Sequence, residues 1–231
     1  RGWGQGPTHS QNLQAWFAHI PGLKVVMPTT PADAKGLLLS SIFDPNPIVF
    51  LEHRWLHQSV GEVEKGDIRV PIGLAKIVRM GKDVTVVAAS YLVVEALQAA
   101  KVLAEEGIEC EVIDLRTISP LDWDAVHSSV KKTRRLIVLD SGAQTGSVAG
   151  EIIARVAIKQ HHVLAAAPMR LAMPDVPEPT SFGLTKGFFV RGINIYQSVM
   201  AMFGKLETVK ADVLVEPSPH DVPGEWFKGP F

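Results

Sequence analysis

A histidine near the start of the chain has the most favourable setting for chemistry. His9 follows a stretch with three glycines and a proline between Gly2 and Pro7, which prevents regular structure and allows tight turns. An imidazole on such a loop is suited to proton transfer near neutral pH. The same residues also fit a histidine that only caps or packs beside a glycine-rich turn, and the pattern alone favours that structural interpretation.

A short helix is predicted directly after His9. Ser10 is a suitable N-cap for it, and the residues that follow repeat with helical spacing. The apolar residues predicted to face inward are Leu13, Trp16, Phe17 and Ile20.

A second helix is predicted to begin at Pro31, with Thr30 as its cap and Asp33 in its first turn. A turn over residues 44–47 ends it, and the apolar run over residues 48–51 is typical of a buried parallel strand. Together with a short strand over residues 24–27, these elements indicate an α/β layer. The predicted inner face of the helix consists of Leu37, Leu38, Ser41 and Ile42.

Strands and helices alternate again from residue 75 to residue 203, which predicts a doubly wound, parallel α/β sheet. Gly142 and Gly146 have the wrong spacing for a dinucleotide loop, and no P-loop triplet is present. A structural or assembly role is therefore favoured for this block. The predicted strands are 75–79, 84–89, 110–114, 136–139 and 169–172, and the predicted helices are 92–106, one from Ser119-Pro120, 146–160 and 193–203.

Two segments lack periodicity. Residues 53–70 are predicted to form an exposed linker, in which His53 and His57 are interpreted as polar loop histidines because no further ligand completes a metal motif. The proline-containing segment from Lys205 onward is predicted to be an extended tail.

The composition is that of an ordinary globular protein. A net charge of -1 gives no electrostatic reason to expect nucleic acid or an anionic membrane as a partner. The apolar region over residues 84–103 is interrupted by polar residues, which favours a strand and a helix over a membrane span.

Cys110 is the single cysteine, so no intrachain disulfide can form, and this fits a reducing compartment. Because the sequence begins without methionine inside a candidate functional loop, we expect a piece of a longer protein.

An ordered set of motifs resembles the β subunit of the decarboxylating component of thiamin-dependent 2-oxoacid dehydrogenases, such as the pyruvate, branched-chain 2-oxoacid and acetoin dehydrogenases. One motif alone would be weak evidence, but the set follows the family's order over residues 1 to about 203. The motifs lie at residues 6–11, 21–26, 33–38, 71–73, 83–85, 111–117, 120–122 and 129–133.

The resemblance implies the fold and the setting of the chain. Residues 1–57 would end a transketolase pyrimidine-binding domain, 58–70 would be a linker, 71–205 would form a transketolase C-terminal domain with a mainly parallel sheet, and 206–231 would be a tail. The implied reaction is decarboxylation of a 2-oxoacid followed by reductive acylation of a lipoyl group.

The resemblance also implies cofactors and partners. Thiamin diphosphate would be bound mostly by residues outside this chain, with magnesium on an α subunit. The implied partners are that α subunit, a second β subunit and a lipoyl acyltransferase, in an α2β2 arrangement, with neither nucleic acid nor membrane. The implied location is the bacterial cytoplasm or the mitochondrial matrix.

Five residues match functional positions of the family. His9 matches the histidine that assists proton transfer during reductive acylation. Ser41, Ile42, Asp44 and Asn46 match a segment that binds a structural cation, such as potassium, through backbone carbonyls. A helix end capped by water and by the turn over residues 44–47 is an equally good interpretation of that segment.

The chain departs from the family pattern in three places and leaves two alternatives. Asp140-Ser141 stands where the family usually has glutamate, and Leu184-Thr185-Lys186 stands where it usually has Leu-Glu. The tail over residues 212–231 matches no part of the family pattern. One alternative is a transketolase-type enzyme fragment, which would need cations near His9 for a sugar phosphate. The other is a non-catalytic module for dimerisation and partner binding.

Overall fold

The computed structural model describes residues 6–206 together with Leu214, His220 and Val222. Most of the predicted tail over residues 206–231, and residues 1–5, lie outside the described residues. The helices are α1 (Pro7–Ser10), α2 (Gln14–Ala18), α3 (Pro31–Ile42), α4 (Tyr91–Glu105), α5 (Trp123–Thr133), α6 (Val148–Gln160) and α7 (Gly192–Met202). The strands are β1 (Lys24–Val26), β2 (Ile48–Phe50), β3 (Lys76–Arg79), β4 (Val84–Ala88), β5 (Cys110–Asp114), β6 (Thr117–Ser119), β7 (Leu136–Ala143) and β8 (Met169–Met173). Short 3-10 helices cover Arg54–Leu56, His161–Val163 and Phe182–Leu184.

The larger sheet has five strands in the order β3-β5-β4-β7-β8. β5, β4, β7 and β8 are parallel to one another, whereas β3 runs antiparallel to β5 along one edge. Helices connect the parallel strands, as the alternating sequence pattern predicts. The prediction of an α/β fold with a mainly parallel sheet is confirmed.

The smaller sheet joins the two halves of the chain. β1 pairs in parallel with β2, and on its other side it pairs antiparallel with β6, which comes from the second half. Sequence periodicity did not reveal β6, because three residues are too few to show it. The chain from residue 6 to residue 52 is therefore attached to the second half by main-chain hydrogen bonds.

The two halves also share a hydrophobic core. Val25 and Met27 of the first half pack in the same buried cluster as Ile113, Val138 and Ile152 of the second half. A second cluster fills the other face of the large sheet, between α4 and α7. Burial of this shared apolar surface stabilises the junction in proportion to the area removed from water.

The predicted helix after His9 is wrong in its start and its face. Ser10 ends α1 instead of capping a longer helix, and Leu13 occupies the N-cap position of α2. The Trp16 side chain is 70% exposed and Ile20 is 50% exposed. The chain bends at residues 11 and 12, so the apolar spacing does not continue along one helical face.

α3 begins as predicted, since the Thr30 hydroxyl accepts a hydrogen bond from the Asp33 N–H. Its predicted inner face is only partly right. Leu37 is fully buried, whereas Leu38 and Ile42 are largely exposed. The small sheet covers only a narrow stripe of this helix, which single-sequence periodicity could not resolve.

The predicted exposed linker is wrong at its beginning. His53 and Trp55 are buried, and the Trp55 ring packs edge-on against Tyr91 and Phe189 of the second half. His53 is therefore not a solvated loop residue; its Nδ1 caps the 3-10 helix by accepting from the Trp55 N–H. The boundaries of the linker and of the two domains stay a prediction.

One further helix starts later than predicted. α5 begins at Trp123, and Asp122 caps it by accepting a hydrogen bond from the Ala125 N–H. Pro120 therefore lies before the helix, not at its first position. The preceding residues, Thr117–Ser119, form β6 instead of a helix start, because the edge of β1 offers main-chain partners.

Candidate functional site

His9 is exposed in the single turn of α1. Its Nδ1 lies 2.9 Å from the Thr8 hydroxyl, which orients the ring. Gly6 immediately before the turn has φ at 72°, a conformation that favours glycine. The imidazole is thus presented to solvent on a tight turn, as its place in the sequence predicts.

A cleft of about 870 Å³ opens beside this turn. Its walls come from three segments: the chain around α2, the loop after β7, and the chain after β8. The cleft lies at the carboxyl ends of parallel strands, where open α/β sheets usually bind ligands. Ser10, the neighbour of His9, lines it together with Trp16, Ser141, Met173 and Phe188.

Asp140 forms the floor of this region at the end of β7. Its carboxylate accepts hydrogen bonds from the Gln14 side-chain amide at 2.6 Å, from the Gly142 N–H at 2.8 Å and from the Ala149 N–H at 3.1 Å. Burial raises the pKa of Asp140, and these hydrogen bonds act in the opposite direction. Nothing in the sequence pattern indicated Gln14 or Asp140, because their partnership spans 126 positions.

The Asp140 side chain also explains why the glycine-containing loop after β7 does not form a phosphate-binding site. The first turn of α6 offers N–H groups that would otherwise attract an anion. Asp140 occupies the Ala149 N–H, and the Ser147 hydroxyl accepts from the Gly150 N–H. The protein thus supplies its own anion at this helix terminus, and the residues there do not fit a diphosphate.

The predicted cation segment lies at the end of α3. The Ser41 hydroxyl donates to the Leu37 carbonyl, and both the main-chain and side-chain N–H groups of Asn46 donate to Asp44. The Lys24 ammonium holds the other carboxylate oxygen of Asp44 at 2.5 Å, and the pKa of Asp44 is lowered to about 2, first by Lys24 and then by Asn46. The side-chain oxygens of Asp44 are therefore already engaged. Among the described residues, no cluster of three or more His, Cys, Asp or Glu side chains is arranged to bind a metal ion.

A buried polar cluster lies where the two halves meet. Arg116, held at a φ of 55°, forms an ion pair with Asp33 at 3.1 Å, and its main-chain N–H donates to Asp114. Burial raises the pKa of Asp114 to about 7, while the Thr29 hydroxyl and the Arg116 N–H lower it and nearby Asp33 raises it further. Asp114 therefore binds a proton more tightly in the folded protein than in the unfolded chain.

This cluster predicts a specific pH dependence of stability. Between about pH 4 and pH 7 the folded state holds more protons at Asp114 than the unfolded state, so stability falls as the pH rises through that window. The Asp114→Asn protein lacks this loss. We expect urea unfolding to show that the free energy of unfolding of the variant, relative to that of the parent, is about 2–4 kcal/mol higher at pH 8 than at pH 5.

The matched control for Asp114 is the exposed Asp175. Hydrogen bonds from Thr145 lower the pKa of Asp175. The stability that ionised Asp175 contributes is therefore lost only when the pH falls to the ordinary pKa of a carboxyl group or below. The difference in unfolding free energy between the Asp175→Asn protein and the parent should be the same at pH 5 and pH 8. If the difference in unfolding free energy between Asp114→Asn and the parent were also the same at both pH values, the raised pKa of Asp114 would be refuted.

The fold and the site together define the class of the protein. The sequence matches the transketolase C-terminal domain family over residues 73–191, slightly more than half of the chain, and the transketolase pyrimidine-binding domain family over residues 2–59. The chain therefore belongs to the transketolase C-terminal domain family. A split-gene transketolase, described as an inactive beta4 tetramer, shares the fold: its TM-score is 0.67 at 23% identity, over 83% of this chain and 60% of that chain.

Closer relatives are β subunits of 2-oxoacid and acetoin dehydrogenases, which confirms the resemblance. The β subunit of acetoin:2,6-dichlorophenolindophenol oxidoreductase from Cupriavidus necator is 48% identical over 75% of this chain and 51% of its own length. The pyruvate dehydrogenase E1 β subunit of Rhizobium meliloti is 48% identical over 77% of this chain and 39% of its own. The mitochondrial pyruvate dehydrogenase E1 β-1 subunit of Oryza sativa is 45% identical over 79% and 50%, respectively. The chain spans about half the length of such relatives or less.

None of the helices within the described residues is both long enough and apolar enough to cross a bilayer. Cys110 is a buried free thiol in β5, and burial raises its pKa to about 12. It therefore acts as a small core residue and not as a nucleophile.

Proposed function

We propose that this chain is part of the β subunit of a 2-oxoacid dehydrogenase complex. In this proposal the complex decarboxylates a 2-oxoacid such as pyruvate and transfers the acyl group to a lipoyl group. The observation that carries the proposal is the 45–48% identity to such β subunits over three quarters of the chain. The exposed histidine on its tight turn supports it independently.

His9 is the residue of this chain that we assign to the chemistry. When the acyl carbon forms a bond to one sulfur of the lipoyl dithiolane, the S–S bond breaks and the second sulfur leaves as a thiolate. The acyl carbon is oxidised and the disulfide is reduced. As the thioester carbonyl forms, the bond between that carbon and the cofactor would break with its electron pair returning to the cofactor, and the hydroxyl proton of the carbon would be released. The departing sulfur in turn requires a proton. In its protonated form, the exposed His9 imidazole can donate this proton from Nε2, while the Thr8 hydroxyl holds Nδ1.

The cofactors of the proposed complex lie mainly outside this chain. Thiamin diphosphate would supply the decarboxylation chemistry, and the first turn of α6 does not fit its diphosphate because Asp140 already occupies that turn. Magnesium would be held by an α subunit. A structural potassium ion at Ser41, Ile42, Asp44 and Asn46 would use main-chain carbonyls as ligands, since Lys24 and Asn46 hold the Asp44 carboxylate.

The partners in this proposal are an α subunit, a second β subunit and a lipoyl acyltransferase, in the cytoplasm or the mitochondrial matrix. Large apolar side chains are exposed on this chain, among them Trp16, Ile42 and Phe43. Such exposed apolar surface is typical of subunits that associate. By itself the chain is expected to be inactive and to act only as an assembly module.

The proposal is tested on the native complex that contains this chain. The purified complex is supplied with thiamin diphosphate and magnesium, and the reduction of 2,6-dichlorophenolindophenol is followed with pyruvate, with branched-chain 2-oxoacids and with acetoin. Turnover with one of these substrates, and acyl transfer to added lipoamide, is the expected result. Turnover only with ketose phosphates would instead indicate a transketolase-type enzyme, and no turnover with either class would leave the assembly role.

A further inference from the structure

The segment that carries His9 is held on both sides by the second half of the chain. On the N-terminal side, Gly6 lies against Thr180: a Cβ built at Gly6 would be 2.7 Å from the Thr180 Cγ2 atom. On the C-terminal side, the Gln14 side-chain amide donates to Asp140 at 2.6 Å and contacts the Ser141 hydroxyl at 3.3 Å. His9 lies three residues after the first contact and five residues before the second.

The Gln14 contact is buried and specific. Gln14 and Asp140 are 3% and 5% exposed, so a carboxylate and an amide are removed from water together. Their hydrogen bond has little competition from solvent, which makes it stronger than an exposed one. Gly142 packs against the same place, because a Cβ there would lie 3.2 Å from the Gln14 Nε2 atom and 3.3 Å from the Asn12 carbonyl oxygen.

Asp140 is also fixed from its own side. It accepts from the Gly142 and Ala149 N–H groups, so the end of β7 and the start of α6 determine where its carboxylate lies. An anchor that rests on a strand and a helix is more rigid than one on a loop alone. α1 and α2 are single turns with few internal hydrogen bonds, and they depend on such an external anchor for a defined position.

We propose that Asp140 and Gln14 are positioning residues for His9, and that the C-terminal domain thereby sets the geometry of proton delivery during acyl transfer. This inference rests on the function proposed above for His9. It assigns a role to Asp140 at the site where the chain departs from the glutamate that is usual in the family. It also gives the second half of the chain a role in the reaction, which is to hold His9 in position, in addition to its role in assembly.

The first test measures position without activity. Gln14→Leu keeps the side-chain volume and removes the amide donor, while Asp140 retains its main-chain donors. Amide hydrogen exchange of the 231-residue chain should become at least tenfold faster over residues 7–19 in this variant, with the strands of the large sheet unchanged. Gln144→Leu, at an exposed glutamine in the loop after β7, is the matched control and should leave exchange as in the parent.

The second test measures the consequence in the native complex. Gln14→Leu and Gly142→Ala, which disturb the contact from opposite sides, should lower the kcat of acyl transfer to lipoamide by about 10- to 100-fold. The KM for the 2-oxoacid and the dye-linked decarboxylation rate should change less than about threefold, because His9 acts only in the later step. A general structural defect would instead lower both rates together.

The outcomes separate this inference from the proposed function. Unchanged exchange over residues 7–19 in Gln14→Leu overturns the positioning role, whatever the complex catalyses. Faster exchange with undiminished acyl transfer overturns the link to His9. The proposed function itself stands or falls with the parent complex and its substrates, without reference to Gln14 or Asp140.

Discussion

Replacing His9 by asparagine is expected to lower acyl transfer to lipoamide by about 10²–10⁴-fold in the native complex, the range typical for the loss of a general acid or base. Asparagine is similar in size and can still approach the Thr8 hydroxyl, but it cannot donate a proton to a leaving thiolate. Because the His9 side chain is exposed, its replacement is not expected to disturb folding, so a folding defect would not account for such a loss.

The same variant should retain the decarboxylation step. Reduction of 2,6-dichlorophenolindophenol bypasses the lipoyl group, so its rate should remain within about threefold of the parent rate. His162→Asn, at an exposed histidine in the 3-10 helix after α6, is the matched control and should leave both rates unchanged. Equal losses in the two assays would place His9 in the decarboxylation step, and no loss in either would remove it from the chemistry.

Replacing Arg191 by methionine is expected to destabilise the chain by about 3–5 kcal/mol, the usual cost of leaving one partner of a buried ion pair alone. Arg191 and Glu95 are 5% and 3% exposed, and the Arg191 Nε lies 3.0 Å from the Glu95 carboxylate. The second carboxylate oxygen of Glu95 accepts from the Gly192 N–H at 2.7 Å, which fixes the start of α7. Removal of the guanidinium leaves a carboxylate that water cannot reach.

Arg191 also joins three further parts of the chain. Its guanidinium lies 5.7 Å from the centre of the Trp55 ring, and it donates to the Val222 carbonyl at 2.9 Å. Its main-chain N–H donates to the Asn194 side chain inside α7. Loss of this side chain therefore removes the contacts with Trp55 and Val222 in addition to the ion pair, whereas the main-chain bond to Asn194 remains.

Thermal unfolding measures the effect directly. At about 2–4 °C per kcal/mol for a chain of this size, Arg191→Met should lower the Tm by roughly 6–20 °C. Adding Glu95→Gln should recover part of the loss, because the neutral amide can still accept from Gly192 and no longer needs a counter-ion. The control Glu151→Gln removes a charge from the exposed pair with Arg155, in which both side chains are 54% exposed, and should cost less than about 1 kcal/mol. A double variant no more stable than Arg191→Met alone would mean that packing, not the ion pair, dominates.

Local chemistry in the sequence determined much of the fold. β-branched runs separated by amphipathic segments produced the strands β4, β5, β7 and β8 and the helices α4, α6 and α7 near their predicted places. The cap at Thr30 followed from its side chain alone, since hydroxyl capping needs only neighbours along the chain. The setting of His9 in a tight turn directly after Gly6 was likewise predictable from residues next to it.

The tertiary structure decided what depends on residues far apart in the chain. His53 and Trp55 looked like linker residues, yet they are buried because their rings pack against Tyr91 at the start of α4, and Trp55 also packs against Phe189. β6 pairs with the edge of β1, and Gln14, after the bend that follows α1, donates a hydrogen bond to Asp140. Periodicity reports on one segment and its immediate neighbours, whereas the pairing of a buried amide with a carboxylate 126 positions away requires the folded chain.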